Sequence, residues 1–174
     1  LAGCAVFVKP SEVTPRFAIP AMQSIAAVPE LAAVFRLQPG GRETGEQLVA
    51  AADVVCFTGS VATGRKVAEN AARHFVPAFL ELGGKSAFLV LDDADLAGAC
   101  SMAAFTASVH AGQGCAITTR LLVPAAMHDE VVASAVGVLD GIAFGDPTDP
   151  AMMMGPLINE RQREKVDALV KTAI

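Results

Sequence analysis

Short apolar runs alternate along this chain with longer segments whose apolar positions recur at helical spacing, and that alternation narrows the fold more than any other feature. Ala5-Val6-Phe7-Val8, Ala33-Val34-Phe35-Arg36-Leu37 and Val54-Val55-Cys56-Phe57 read as strands in the first half, and Ala87-Phe88-Leu89-Val90-Leu91 and Arg120-Leu121-Leu122-Val123 in the second. Thr14 offers an N-cap and Pro15 a first helical position for a helix through about Ala27. Pro39-Gly40-Gly41 turns the chain, and Gly45 leads into a short helix over Glu46 to Ala51. Next, Val61, Gly64, Ala68, Ala71, Ala72 and Phe75 share one helical face, while Arg65, Lys66, Glu69, Asn70 and Arg73 share the other. Asp92-Asp93-Ala94-Asp95 places acids ahead of a helix to about Val109, where the helix dipole favours them. A helix from about Ala126 to Leu139 follows, then the Gly145–Pro156 loop and a last helix that Asn159 could cap. Strand–helix–strand repeats predict βαβ units, hence an α/β chain with a mostly parallel sheet and a ligand edge at the carboxyl ends of its strands.

Composition removes several classes of function. The 174 residues are 53% hydrophobic with no Trp and no Tyr, so the core is predicted to be built from small side chains. A net charge of −5 without any Lys/Arg cluster argues against a nucleic-acid surface or an anionic membrane. The three histidines, His74, His110 and His128, show no metal-ligand spacing, and no metal is expected. Cys4, Cys56, Cys100 and Cys115 form no Cys-x-x-Cys pair. The first two lie in apolar runs and the third in an Ala-rich helix, so all three read as reduced core residues of a cytoplasmic protein. Leu96 to Thr119 carries no charged side chain, but its serines, threonines and glycines suit a buried helix followed by a site loop better than a membrane span. Leu1 is not a usual translation start, and the last helix reaches Ile174 without a stop signal, which reads as a fragment.

Two glycine-relaxed stretches carry the chemistry. In Gly112-Gln113-Gly114-Cys115, glycine lets the backbone adopt angles closed to other residues and leaves little bulk on the thiol's N-terminal side. That loop either presents a nucleophile or simply turns the chain ahead of the next strand. In Leu80-Glu81-Leu82-Gly83-Gly84-Lys85 a carboxylate lies beside a second glycine pair, and a nucleophile with a base is the outline of covalent catalysis. Phe57-Thr58-Gly59-Ser60 ends a strand and opens a helix, where a phosphate can use free backbone N–H groups, although no Gly-x-Gly-x-x-Gly pattern occurs at this turn. Lys9 and Glu12, by themselves, read as a surface pair stapling a turn.

These motifs resemble those of the NAD(P)-dependent aldehyde dehydrogenases, which have a Glu-Leu-Gly-Gly-Lys glutamate and a Gly-Gln-x-Cys cysteine. Val8-Lys9-Pro10-Ser11-Glu12 with Thr14-Pro15, Phe57-Thr58-Gly59-Ser60 with Gly64-Arg65, and Gly145-Asp146-Pro147 with Gly155-Pro156-Leu157 follow the same family's order. The resemblance implies an incomplete Rossmann-like parallel-sheet cofactor domain over residues 1–83, joined to part of an α/β catalytic domain over 84–174. It implies Cys115 as the thiolate nucleophile and Glu81 as the base that activates water against the resulting thioester. Lys9, Glu12, Gly40 and Gly45 are implied on the adenosine side of the cofactor. Gly59, Ser60 and Gly64 are implied on the pyrophosphate side, and Thr58 and Leu82 are implied as further cofactor-binding residues. A Glu12 carboxylate accepting the ribose 2′-hydroxyl implies NAD rather than NADP. The implied partners are a small-molecule aldehyde and further copies of the parent enzyme, with no nucleic acid and no membrane, and the 174 residues alone are not expected to turn over. Position 110 is His where many members have Asn. Two other readings use the same residues: a nucleotide-binding remnant without turnover, and a thiol acyltransferase using Cys115 without nucleotide.

Overall fold

The computed structural model describes residues 3–173. The chain forms two compact units, Leu1–Leu82 and Gly83–Ile174.

The first unit contains two parallel strand pairs. β1 (Val6–Val8) pairs with β2 (Phe35–Leu37), in register Val6↔Phe35 to Val8↔Leu37. The crossover between them is α1 (Ala18–Ala26) and α2 (Pro29–Val34). The helix expected from Thr14 opens instead as a 3-10 turn over Pro15–Phe17, and the Thr14 side chain caps nothing. The strand expected from Ala33 also begins later, because Pro29 at the first position and Glu30 in the first turn start a helix that runs to Val34. α3 (Arg42–Ala51) takes in Gly45 rather than following it, helped by an ion pair from Arg42 to Glu46 one turn on.

β3 (Val55–Gly59) runs into α4 (Val61–Arg73), which returns the chain to β4 (Ala78–Leu82), parallel to β3. β4 was not visible as a strand in the sequence. Its three inward positions are Ala78, Leu80 and Leu82, and between them lie the exposed Phe79 and Glu81. α4 packs on this pair through small residues: Gly64 and Ala71 are buried, and a Cβ on Gly64 would come within 2.6 Å of the Leu82 side chain. Asn70 ties α4 to α3 by donating to the Glu46 carbonyl at 3.1 Å.

The second unit has one parallel pair, β5 (Ser86–Leu89) with β6 (Thr118–Leu122), with a register shift between Ser86 and Ala87. α5 (Leu96–Ser108) and a 3-10 turn over Val109–Gly112 link the strands. α6 (His128–Asp140) packs on α5, and α7 (Glu160–Ala173) closes the unit; the sequence end at Ile174 lies outside the described residues. The α5–α6 seam is the core: Cys100 is 0% exposed, Val131 3%, and Ala103 and Ala104 are buried beside them. Small side chains let two helices approach closely, and the Cys100 thiol reaches the Val131 carbonyl at 4.0 Å.

The described residues form three separate parallel pairs, two in the first unit and one in the second. Strands of three to five residues satisfy one neighbour each, and large apolar side chains on them, such as Phe7 and Phe79, stay exposed, as does Phe144 in the loop after α6. Among the described residues no helix is long and apolar enough to cross a membrane, and α5, with 13 residues, falls short of the ~20 needed.

Truncating the α5–α6 seam tests this packing. Val131→Ala should lower unfolding stability by about 2 kcal/mol through lost burial and a residual cavity. Cys4→Ser, at an exposed position, should stay within about 0.5 kcal/mol. Urea titration of the variants measures both, and equal midpoints would contradict the core assignment.

Candidate functional site

Lys9, Glu12, Gly40 and Gly45 come together beyond the end of β1. Lys9 Nζ donates to the Pro10 carbonyl at 2.8 Å and the Gly40 carbonyl at 3.0 Å, and pairs with Glu12 Oε2 at 3.3 Å. An ammonium has three N–H donors, so these partners account for its donor capacity. The Lys9 methylenes pass within 3.8 Å of where a Gly45 Cβ would stand. Lys9 is therefore half-withdrawn at 22% side-chain exposure, a knot between two loops, whereas Glu12 stays open at 64%. The missing Cβ at Gly40 is filled from within the chain, by the Thr44 side chain.

Thr58, Gly59 and Ser60 stand at the carboxyl end of β3, and the ladder sets Thr58 opposite Glu81 and Gly59 opposite Leu82. Extended backbone at Ser60 ends the strand, and its hydroxyl caps α4 by accepting from the Thr63 N–H at 3.2 Å. The Ser60 and Thr63 hydroxyls also bond each other at 3.0 Å. A Cβ on Gly59 would meet the Phe57 ring at 2.5 Å, so this glycine makes room for a side chain two residues back on the same strand face. The N-terminus of α4, a helix of 13 residues, lies next to these groups and offers an anion the first-turn N–H groups that no helix satisfies internally. Glu81 is exposed on β4.

Cys115 belongs to the second unit and is exposed, on the turn between the 3-10 segment and β6. The turn is left-handed over three successive residues: His110 (φ 52°), Ala111 (φ 56°) and Gly112 (φ 73°). Only Gly112 adopts this freely; each of the other two costs about 1–2 kcal/mol that the surroundings must offset. Gly114 is tightly placed as well, since a Cβ there would meet Ile117 Cγ2 at 2.9 Å. At the base of the loop Thr106 and Thr118 share a hydroxyl hydrogen bond of 3.0 Å, joining the end of α5 to the start of β6. Gln113 donates from Nε2 to the His110 carbonyl at 2.8 Å and accepts at Oε1 from the Ile158 N–H at 2.9 Å. Sequence reasoning passed over Gln113, Thr106 and Thr118; the signal available was an amide, with both donor and acceptor, inside a glycine loop. A cavity of about 200 Å³ lies alongside, lined by Phe105, Ser108, Val109, His110, Ile142 and Met153.

Three of the four thiols are exposed. Only Cys100 meets the expectation of a core cysteine; Cys4 lies exposed ahead of β1, and Cys56 sits at an exposed position of β3. The Gly145–Pro156 loop is built from turns that close on Asp146 and Asp149. Asp146 Oδ1 accepts from the Thr148 N–H and hydroxyl, both at 2.8 Å, and these bonds hold its carboxyl below the usual carboxylate range. Met152 fills the space beside Gly145. Among the described residues no cluster of His, Cys, Asp and Glu could hold a metal ion.

A model of the aldehyde dehydrogenase family matches residues 1–174, and the chain belongs to that family. It is 40% identical to a vanillin dehydrogenase of Amycolatopsis sp., over 99% of this chain and 36% of that protein. It is 38% identical to a geranial dehydrogenase of Castellaniella defragrans, over 98% of this chain and 36% of that protein. A solved structure of a Mycobacterium tuberculosis aldehyde dehydrogenase complexed with NAD+ superposes with a TM-score of 0.90 at 41% identity, covering 98% of this chain and 36% of that one. The chain thus spans about a third of the length of the proteins it matches, and its α/β architecture of small parallel pairs is that of a partial Rossmann-like fold.

The thiol environments lead to a direct test. Under native conditions iodoacetamide should label Cys4, Cys56 and Cys115, and Cys100 only after denaturant is added. Site-resolved mass spectrometry reads this; native labelling of Cys100 would contradict the α5–α6 packing.

Proposed function

We propose that these residues form the cofactor-holding and nucleophile-bearing third of an enzyme that oxidises an aldehyde to a carboxylic acid with NAD. The observation that carries the reading is an exposed thiol, Cys115, three residues beyond the left-handed His110–Gly112 turn, in a chain of the aldehyde dehydrogenase family.

The residues fit a dinucleotide. The α4 N-terminus with Ser60 suits its pyrophosphate, and the solvent-exposed Glu12 carboxylate, paired with Lys9, suits a ribose hydroxyl. Lys9, with its donors taken up by protein acceptors, shapes this site by holding the Gly40 loop and aiming Glu12. NAD, when bound, supplies the hydride acceptor. Cys115 acts as thiolate, the reactive form, and adds to the aldehyde carbonyl. Its backbone N–H helps hold the oxyanion that develops. After oxidation the acyl group rests on sulfur as a thioester. Glu81 then takes a proton from the water that attacks it, and the acid leaves as the thiolate is restored. Parts of the enzyme beyond this third complete the oxyanion site and the aldehyde channel, so the 174 residues alone are not expected to sustain turnover. The remnant reading, nucleotide binding without chemistry, uses the same first unit and differs only in predicting no role for Cys115.

Two experiments on the full chain test the assignment. Cys115→Ala should abolish aldehyde oxidation while NAD still binds, and Glu81→Gln should slow thioester hydrolysis by roughly 10²–10⁴-fold, leaving a burst of NADH before a slow phase in rapid mixing. Turnover retained in Cys115→Ala would sink the nucleophile, and an unchanged steady rate would reduce Glu81 to a structural residue. For the cofactor, the ratio of kcat/KM for NAD to that for NADP should exceed one and should narrow in Glu12→Ser, which removes a negative charge facing the 2′-phosphate. A native preference for NADP would refute the role given to Glu12.

A further inference from the structure

Gln113 reaches out of the nucleophile loop and across 45 residues of sequence to Ile158. Its amide is oriented without ambiguity: the Nε2 end faces the His110 carbonyl at 2.8 Å, and the Oε1 end faces the Ile158 N–H at 2.9 Å. A flipped amide would set donor against donor and acceptor against acceptor. The backbone N–H of Gln113 also donates to the His110 carbonyl, at 3.2 Å, so one residue grips the left-handed turn twice. The far end is firm. Ile158 follows Pro156, whose ring fixes one backbone angle, and precedes Asn159, which caps the 14-residue α7 by accepting from the Gln162 N–H at 3.0 Å. The Gly155-Pro156-Leu157 motif thereby gains a task that the chemistry above does not give it.

We propose that Gln113 is the positioning residue of the nucleophile: its amide locks the His110–Gly112 turn to the segment ahead of α7 and so fixes where the Cys115 thiol and backbone N–H point. This rests on the reading of Cys115 as the nucleophile. Without the brace, two non-glycine residues in left-handed backbone are held less firmly, and the thiol four positions after Ala111 shifts with them. The required side chain must donate at one end and accept at the other. An ionised glutamate accepts at both ends and repels the His110 carbonyl; a methionine matches the shape and does neither.

Gln113→Met and Gln113→Glu in the full chain separate these cases. In Gln113→Met the peptide holding Ile158 should exchange its amide hydrogens about tenfold faster, the size expected for one lost hydrogen bond. Its kcat should fall about 10–100-fold, as for a reacting group misplaced by about 1 Å, with KM for NAD unchanged. In Gln113→Glu the protonated carboxyl regains one donor and one acceptor, and the facing carbonyl raises its pKa above the ordinary ~4.3. The ratio of its turnover to that of the unsubstituted enzyme should therefore climb as pH falls toward about 5, while the ratio for Gln113→Met stays flat. His110, the titratable neighbour on the turn, is present in all three proteins and cancels in the ratios. Unreactive Cys100 certifies that a variant is folded; if Gln113→Met exposes it, the pH ratio of Gln113→Glu decides. Unchanged exchange at Ile158, faster exchange with unchanged kcat, or one pH profile shared by both variants would overturn the proposal. Turnover retained in Cys115→Ala would overturn the nucleophile reading and this role with it, whereas a failure of positioning alone shows with Cys115→Ala inactive.

Discussion

A parallel strand pair cannot be closed by a tight turn, and that constraint shapes both units. Each strand must be followed by a crossover long enough to bring the chain back to the same end, and a helix is the compact way to do it. Every pair here obeys: α1 and α2 return β1 to β2, α4 returns β3 to β4, and α5 returns β5 to β6. The crossover helix begins where the strand ends, so strand carboxyl ends and helix N-termini gather on one edge. Thr58, Gly59 and Ser60 stand at such an edge because the backbone has no other economical route, and Glu81 arrives opposite Thr58 because the ladder register puts it there.

The alternation of elements was legible where a crossover helix keeps an apolar face at helical spacing, clearest in Val61 to Phe75. The boundaries were less so. Pro29 and Glu30 open a helix whose apolar residues Leu31, Ala32, Ala33 and Val34 look equally strand-like, and only the capping chemistry separates the two. β4 was hidden because its exposed positions hold Phe79 and Glu81, so no apolar–polar alternation marks it. Burial was misjudged at Cys4 and Cys56, where apolar neighbours suggested a core that pairs of short strands do not enclose. On the site side, the resemblance implies the cofactor beside several glycines. What approaches Gly40, Gly59 and Gly64 within this chain, however, is Thr44, Phe57 and Leu82. The Gln113 brace could not be read at all, since a contact spanning 45 residues leaves no local pattern.

The second unit stores strain and bracing in the same few residues. His110 and Ala111 occupy backbone that side chains disfavour, and the bonds that hold them there come from Gln113 and, through it, from the start of α7. The Thr106–Thr118 bond closes the loop at its base, so the turn is tied at two places while its tip stays open around Cys115. Under the proposed reading, in which the Cys115 thiol meets different partners in successive steps, a support that is rigid behind it and empty in front serves the chemistry.

The three bonds of Lys9 carry a consequence for how this region can vary. A compact ammonium sends its hydrogens in three diverging directions, toward Pro10, Gly40 and Glu12. A guanidinium carries the same charge but lays its donors in one plane and suits paired oxygens on a single side. Arginine at position 9 would keep the electrostatics while losing at least one loop, so the tie between the segment after β1 and the glycines ahead of α3 depends on tetrahedral nitrogen, and charge conservation alone does not preserve it.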